Sequence, residues 1–168
     1  MILVCPLSRL QDTVAGSGAQ HLLSVINAGT PVTRPAGIAA EHHRFIGFND
    51  IVAPQDGMIH PTDAHMAELL AFVRLWPRRA PLVVHCYAGI SRSTAAAFIA
   101  ACALNPRADE ADIAARLRAA SPTATPNARL VALGDAALGR QGRMSAAIEA
   151  IGRGRDAFEG TPFRLEVE

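Results

Sequence analysis

The stretch HCYAGISRS, residues 85–93, separates a short apolar segment from an alanine-rich one. The apolar segment, Leu-Val-Val at residues 82–84, is typical of a buried strand. The alanine-rich segment, residues 93–104, is followed by an Asn-Pro pair and predicts a helix that is buried on most sides. The glycine-containing connection between them resembles the backbone loops that bind anions at the start of a helix. Residues 82–104 therefore predict one strand, one loop and one helix in succession.

Similar patterns on both sides of this unit predict an α/β domain. Apolar or alternating segments predict three further strands, at residues 2–5, 22–26 and 44–48. Periodic apolar residues and capping signals predict helices at residues 62–76, 108–119 and 126–138, with a weaker helix or turn at residues 11–20. Strands that alternate with helices, followed by a run of helices, indicate a central, mainly parallel sheet of about four to five strands flanked by helices. The 168 residues are expected to form a single domain.

Composition and charge narrow the class of protein. The 16 Lys+Arg residues are nearly balanced by 15 Asp+Glu residues, so a nucleic-acid-binding protein with a broad basic surface is not expected. No stretch approaches the ~18 apolar residues of a membrane-spanning helix. The N-terminal apolar run is too short for a signal peptide. We therefore expect a soluble, cytoplasmic protein that binds neither nucleic acid nor a membrane, and we leave its oligomeric state open.

The three cysteines, Cys5, Cys86 and Cys102, are too widely spaced for a zinc site or a disulfide framework, so they are expected to be free thiols. Cys86 differs from the other two because it begins the glycine-containing loop. Inward-pointing backbone N–H groups and the dipole of the following helix would stabilise a thiolate there, as they would stabilise a phosphate. Cys5 and Cys102 are expected to pack in the core.

Other residues of the loop are suited to the same chemistry. Arg92 carries a planar guanidinium that can hold two phosphoryl oxygens at once. Ser93 can donate a hydrogen bond to the cysteine sulfur, and Gly89 allows a backbone angle that a side chain would forbid. The backbone N–H groups expected to bind a phosphate are those of Tyr87, Ala88, Gly89, Ile90, Ser91 and Arg92.

The order of histidine, cysteine, five residues, arginine and serine resembles the signature of the cysteine-based protein-tyrosine and dual-specificity phosphatases. The resemblance implies their fold, with a family-like core at about residues 1–140 and a helical extension and tail at residues 141–168. It implies that Cys86 is the nucleophile, that Arg92 binds the phosphate and that His85 orders the loop by hydrogen bonding. No cofactor or metal ion is expected. The absence of lysine is typical of GC-rich bacteria, so we expect a bacterial member.

The resemblance also implies an aspartate that protonates the leaving oxygen, and two candidates are present. Asp50 directly follows the predicted strand at residues 44–48, where the acid of the family usually lies, whereas Asp56 belongs to an Asp-Gly pair that is typical of a turn. We favour Asp50, and Asp56 stays open. Asn127 resembles the asparagine that braces the phosphate loop in this family, and its alternative role is that of an ordinary helix N-cap.

The activity implied by the resemblance is hydrolysis of phosphate monoesters, with phosphotyrosine in proteins as the preferred substrate and phosphoserine and phosphothreonine left open. The loop contains no lysine, which favours protein substrates over phosphoinositides. Two alternatives are a catalytically weak phosphate-binding pseudophosphatase and a rhodanese-like sulfurtransferase, which also uses a cysteine loop. The six-position spacing of Cys86 and Arg92 favours phosphate. The histidines at positions 42, 43, 60 and 65 are not expected to bind a metal.

Overall fold

A five-stranded sheet forms the centre of the computed structural model, which describes residues 1–167. Its strands are β1 (Ile2–Pro6), β2 (His21–Ile26), β3 (His43–Gly47), β4 (Leu82–Cys86) and β5 (Phe163–Leu165). They lie in the order β3-β2-β4-β1-β5. The first four strands are parallel to their neighbours, and β5 is antiparallel to β1. The prediction of an α/β fold with a mainly parallel central sheet is therefore confirmed.

Helices connect the parallel strands and then form a run after β4. Within the described residues they are α1 (Leu10–Ser17), α2 (Asp63–Leu75), α3 (Arg92–Leu104), α4 (Glu110–Ala120), α5 (Ala128–Ala137) and α6 (Arg143–Ile151). The bounds of α2 to α5 agree closely with the sequence-based ones, whereas α1 ends earlier than predicted. That helix ends at Ser17 because Gly18 adopts a left-handed conformation with φ of 67°.

The strand β4 is buried along its whole length because it lies between β1 and β2 in the middle of the sheet. This position explains why its sequence is continuously apolar rather than alternating. The helix α3 packs against the sheet, and every residue from 92 to 102 is buried. Small side chains allow its neighbours to approach closely: a Cβ atom added to Gly134 of α5 would lie 2.7 Å from Cγ1 of Ile99.

The carboxyl ends of the four parallel strands meet at one edge of the sheet. Ligand sites of α/β proteins commonly lie outside this edge. The residues that follow the strands here are Leu7 after β1, Asn27 after β2, Phe48 after β3 and Tyr87 after β4. The candidate site residues of the sequence analysis are thus brought to the same end of the sheet.

The C-terminal part of the chain packs on the same core. The helix α6 packs against α4 and α5, and β5 extends the sheet beside β1. Three residues are too few to produce a recognisable pattern, so the sequence did not predict β5. Over residues 1–167, none of the helices combines the length and the apolar character needed to cross a bilayer.

Candidate active site

Cys86 is the last residue of β4, and its side chain lies at the base of the following loop. The residue is only 2 % exposed. Its Sγ atom accepts a hydrogen bond from the backbone N–H of Gly89 at 3.2 Å. Ser93 Oγ lies 3.1 Å from the same sulfur, so its hydroxyl can donate to a thiolate there. The sulfur therefore has two neighbouring donors, one from the backbone and one from a side chain.

Four carbonyl groups of this loop accept hydrogen bonds from other segments of the chain. The donor and acceptor pairs are Leu7 N with Tyr87 O at 3.0 Å, Gly160 N with Ala88 O at 2.8 Å, Thr125 N with Ile90 O at 2.9 Å, and Asn127 N with Ser91 O at 3.3 Å. The C=O and N–H groups of a trans peptide unit point in opposite directions. Since the carbonyls point outward, the N–H groups of the next residues point inward and can bind a tetrahedral anion.

Gly89 is required where it stands. Its φ of 70° lies in the left-handed region, which residues with a side chain rarely adopt. A Cβ atom at this position would also lie only 2.7 Å from the backbone nitrogen of Pro6. The loop can therefore turn under the anion site only with glycine here.

Arg92 begins α3, and its residue is only 6 % exposed. Its Nη1 atom donates to Asn27 Oδ1 at 2.5 Å and to the carbonyl oxygen of Phe48 at 2.7 Å. Its Nε atom is buried and has no hydrogen-bond partner within the described chain. The Nη1 end of the guanidinium is thus anchored to the protein, whereas its Nε donor is left without a protein acceptor among the described residues.

Asn27, which holds Arg92, was not among the residues predicted from the sequence. The signal that could have identified it is its position directly after β2, at the edge where the other candidate residues lie. A single asparagine after a strand was too weak a pattern to interpret before the strand order was known.

His85 forms a buried hydrogen-bond chain beneath the loop. Its Nδ1 atom lies 3.3 Å from the carbonyl oxygen of Cys86, and its Nε2 atom lies 2.7 Å from Ser24 Oγ. Ser24 Oγ is also 2.8 Å from Nε2 of His43. Burial lowers the pKa of His85 to about 4, so the imidazole is neutral at physiological pH. A neutral ring that donates from Nδ1 to the Cys86 carbonyl and accepts at Nε2 satisfies all these contacts.

The carboxylate of Asp50 lies beside the loop. Its Oδ1 atom accepts from Ser91 Oγ at 2.7 Å and from Asn127 Nδ2 at 2.7 Å. Asp56 is exposed and lies further along the loop that connects β3 to α2. Of the two candidate acids, Asp50 therefore has a direct contact with the loop after β4.

Asn127 contacts both the start of α5 and the loop after β4. Its Oδ1 atom accepts from the backbone N–H of Leu130 at 3.0 Å, which is an N-cap of α5. Its Nδ2 atom donates to Asp50, and its backbone N–H donates to the Ser91 carbonyl. One residue thus links a helix start, the candidate acid and the loop.

The remaining cysteines are buried, and His65 takes part in a helix cap. Burial raises the pKa of Cys5 and of Cys102 to about 12, so both stay protonated thiols at neutral pH. Nδ1 of His65 accepts from the backbone N–H of Thr62 at 3.1 Å, at the start of α2. Among residues 1–167, no group of three or more His, Cys, Asp or Glu side chains could hold a metal ion.

Several solved structures of phosphatases have a similar fold. A mouse putative dual-specificity phosphatase, complexed with zinc tungstate, superposes with a TM-score of 0.61 at 18% identity, over 87% of this chain and 86% of that one. Human DUSP28 gives a TM-score of 0.62 at 20% identity, over 83% of this chain and 94% of that one. The PTP-2 phosphatase of Cydia pomonella gives 0.62 at 15% identity, over 80% and 84%. At these identities the similarity establishes the fold.

The sequence itself establishes the family. No curated protein sequence matches the chain significantly. The family model described as protein-tyrosine phosphatase matches residues 37–124, which include the loop after β4 and the candidate acid Asp50. Because this match covers more than half of the 168 residues, the chain belongs to the protein-tyrosine phosphatase family, whose members are hydrolases.

Proposed function

We propose that this protein removes phosphate from phosphotyrosine residues of proteins through a phosphocysteine intermediate. One observation carries the proposal: in the loop after β4 the Cys86 sulfur accepts from the backbone N–H of Gly89, and Arg92 at the end of the same loop keeps a buried Nε atom without a hydrogen-bond partner within the described chain. A nucleophile, a fixed cation and inward-facing donors around one small site are the components that phosphoryl transfer needs.

The first step forms a bond between the Cys86 sulfur and phosphorus and breaks the phosphorus–oxygen bond of the ester. Asp50 gives its proton to the leaving oxygen, and Arg92 and the loop N–H groups hold the other phosphoryl oxygens. In the second step a water molecule gives a proton to Asp50 and attacks phosphorus. The phosphorus–sulfur bond breaks, and Ser93 donates a hydrogen bond to the departing thiolate. Neither step requires a metal ion or a cofactor.

The preference for phosphotyrosine in proteins rests on the charges and the rim of the site. The loop contributes one cation, Arg92, and contains no lysine that would match an inositol ring with several phosphates. Tyr87, a residue of this loop, has 60 % of its surface exposed, so its ring is available to pack against an aromatic leaving group. Phosphoserine and phosphothreonine esters are shorter, so the depth of the site decides whether they reach the sulfur.

Hydrolysis of p-nitrophenyl phosphate by the purified chain tests the reaction. We expect turnover that vanadate inhibits and that a metal chelator leaves unchanged. Cys86→Ser should abolish turnover while tungstate still raises the melting temperature, since the N–H groups and Arg92 stay in place. Tungstate binding without turnover by the unmodified chain would indicate a pseudophosphatase, and transfer of sulfur from thiosulfate to cyanide would indicate a sulfurtransferase.

Specificity and the intermediate need separate measurements. Three peptides of identical sequence, phosphorylated on tyrosine, serine or threonine, should differ in kcat/KM, with the phosphotyrosine peptide hydrolysed fastest. Acid quenching during turnover of a 32P-labelled peptide should trap label on Cys86. Equal rates for the three peptides would establish dual specificity. A burst of dephosphorylated product without trapped label on the protein would contradict the phosphocysteine step.

A further inference from the structure

The C-terminal segment, residues 152–165, passes beside the loop that follows β4. The carboxylate of Glu159 accepts hydrogen bonds from Ser8 Oγ at 3.0 and 2.9 Å. The backbone N–H of Gly160, the next residue, donates to the carbonyl oxygen of Ala88 at 2.8 Å. Three residues later the segment enters β5 and pairs with β1. It is therefore attached to the sheet beyond the point where it contacts the loop.

The segment also contacts the residues that support the other side of the loop. The backbone N–H of Gly154 donates to Thr125 Oγ1 at 3.1 Å, and the N–H of Arg155 donates to the Pro122 carbonyl at 2.9 Å. Thr125 in turn donates from its backbone N–H to the carbonyl of Ile90. The same segment thus contacts the loop directly at one end and through Thr125 at the other.

Close packing at two glycines sets how near the segment can approach. A Cβ atom on Gly154 would lie 2.5 Å from the backbone carbonyl carbon of Thr123. A Cβ atom on Gly160, which is buried, would lie 3.0 Å from the carbonyl oxygen of Gly89. Any larger residue at position 160 would press on the loop beneath the anion site.

We propose that Gly160 is a positioning residue for the active site, and that residues 152–165 are a structural part of the phosphate-binding loop. The proposal rests on the proposed function of that loop. The hydrogen bond from Gly160 holds the Ala88 carbonyl outward, which directs the N–H of the same peptide unit, that of Gly89, inward to the Cys86 sulfur at 3.2 Å.

The hydrogen bond from Gly160 fixes the orientation of the peptide unit between Ala88 and Gly89, which ends in a glycine. A glycine adopts positive and negative φ about equally readily, so the unit between Ala88 and Gly89 can rotate at little steric cost. Rotation would turn a carbonyl oxygen toward the sulfur and the bound phosphate. The Gly160 N–H selects the orientation that presents a donor. Residue 160 lies outside the segment 37–124 that matches the family model, so the contact comes from another part of this chain.

The test compares two glycine-to-alanine variants. Gly160→Ala places a methyl group against the Gly89 carbonyl, whereas Gly16→Ala, the control, adds one where no atom lies within 4 Å. Tungstate affinity is measured from the rise in melting temperature, and kcat and KM are measured with p-nitrophenyl phosphate well below the melting temperature. We expect Gly160→Ala to bind tungstate roughly tenfold more weakly and to lose kcat to a similar extent. Gly16→Ala should keep both values.

A merely structural role for the segment would lower the melting temperature of Gly160→Ala and leave tungstate affinity and kcat unchanged, and that result would overturn the proposal. If Gly160→Ala does not fold, Glu159→Ala removes both acceptors of Ser8 without adding volume against the loop. It should weaken tungstate binding about threefold. An unchanged affinity in that variant would also overturn the proposal. Failure of the unmodified chain to bind tungstate would instead contradict the proposed function.

Discussion

The loop at residues 86–92 and the loop at residues 49–61 border the same site, but the protein holds them differently. The first is short, and four of its carbonyls bond to segments from across the chain. The second is closed at its base, where Asn49 bonds to Ile59 through both its backbone N–H and its side-chain oxygen. Its residues 52–59 are exposed. An anion site needs donors fixed before the ligand arrives, whereas a proton donor needs only its carboxyl group in reach.

The contacts of Asp50 lie on the boundary between these two loops. Its carboxylate is bonded by Ser91, which belongs to the first loop, and by Asn127, which starts α5. Substitutions that remove a donor to the anion from the loop at residues 86–92 should therefore affect every substrate. Substitutions at Asp50 or at its hydrogen-bond partners should affect substrates according to their leaving group.

The largest effect is expected in the loop at residues 86–92, for Arg92→Lys. A lysine ammonium cannot bond Asn27 and Phe48 while also offering a second donor to the phosphate. We expect kcat for p-nitrophenyl phosphate to fall by about 10²–10³-fold, as for loss of one fixed transition-state donor. Arg44→Lys, at an exposed ion pair with Glu68, is the matched control and should keep its activity. A kcat close to that of the unmodified chain in Arg92→Lys would show that the anchored guanidinium is not needed.

The next largest effect is expected for Asp50→Ala, and it should depend on the leaving group. Phenyl phosphate, whose phenolate is a poor leaving group, should be hydrolysed roughly 10²-fold more slowly, because the leaving oxygen needs a proton. The loss should be much smaller with an activated dinitrophenyl ester. Asp56→Ala is the matched control from the same loop. If Asp56→Ala shows the leaving-group dependence and Asp50→Ala does not, the acid is Asp56.

A smaller effect is expected for Ser91→Ala, which removes one of the two hydrogen bonds to Asp50 and leaves the backbone N–H of position 91 in place. With Asn127 still bonded to Asp50, kcat for phenyl phosphate should fall by roughly fivefold, the size of one hydrogen bond. Tungstate affinity should not change, because the donors to the anion are intact. Weaker tungstate binding would mean that the hydroxyl belongs to the anion site instead.

The smallest effect is a dependence of stability on pH, and it comes from His85, beneath the loop at residues 86–92. Burial lowers the pKa of His85 to about 4. Between pH 6.5 and 4, His85 therefore binds a proton in the unfolded chain but not in the folded chain. Stability is therefore lost as pH falls through this window. Between pH 7.5 and 5.5 the loss should be about 1 kcal/mol from His85. Burial also lowers the pKa of His21 and of His43, which adds in the same direction.

Denaturation by urea at the two pH values measures this change. His85→Gln should reduce the difference in the free energy of unfolding between pH 7.5 and 5.5, because the substituted side chain does not titrate. A free energy of unfolding that stays constant or rises on acidification of the unmodified chain would show that His85 is not buried as a neutral ring.

The parts of the site that could be predicted are those whose residues lie close together in the sequence. Cys86, Gly89, Arg92 and Ser93 lie within eight positions, and the strand and helix that hold them have strong local patterns. Asp50 was favoured because the acid of the resembling family usually lies just after that strand and because Asp56 belongs to a turn-like Asp-Gly pair. Asn27 and Ser24 could not be recognised, because each acquires its partner only when β2 lies beside β4.

By itself, the sequence determined the strand–loop–helix unit, the chemistry of its side chains and the α/β class, because these depend on neighbours along the chain. The tertiary structure alone decided what holds that loop: Leu7, Thr125, Asn127 and Gly160 donate to its carbonyls from segments that are distant in sequence. Backbone hydrogen bonds carry almost no residue signature, since every amino acid except proline has the same N–H group. Which amides meet the loop is therefore known only once the chain has folded around it.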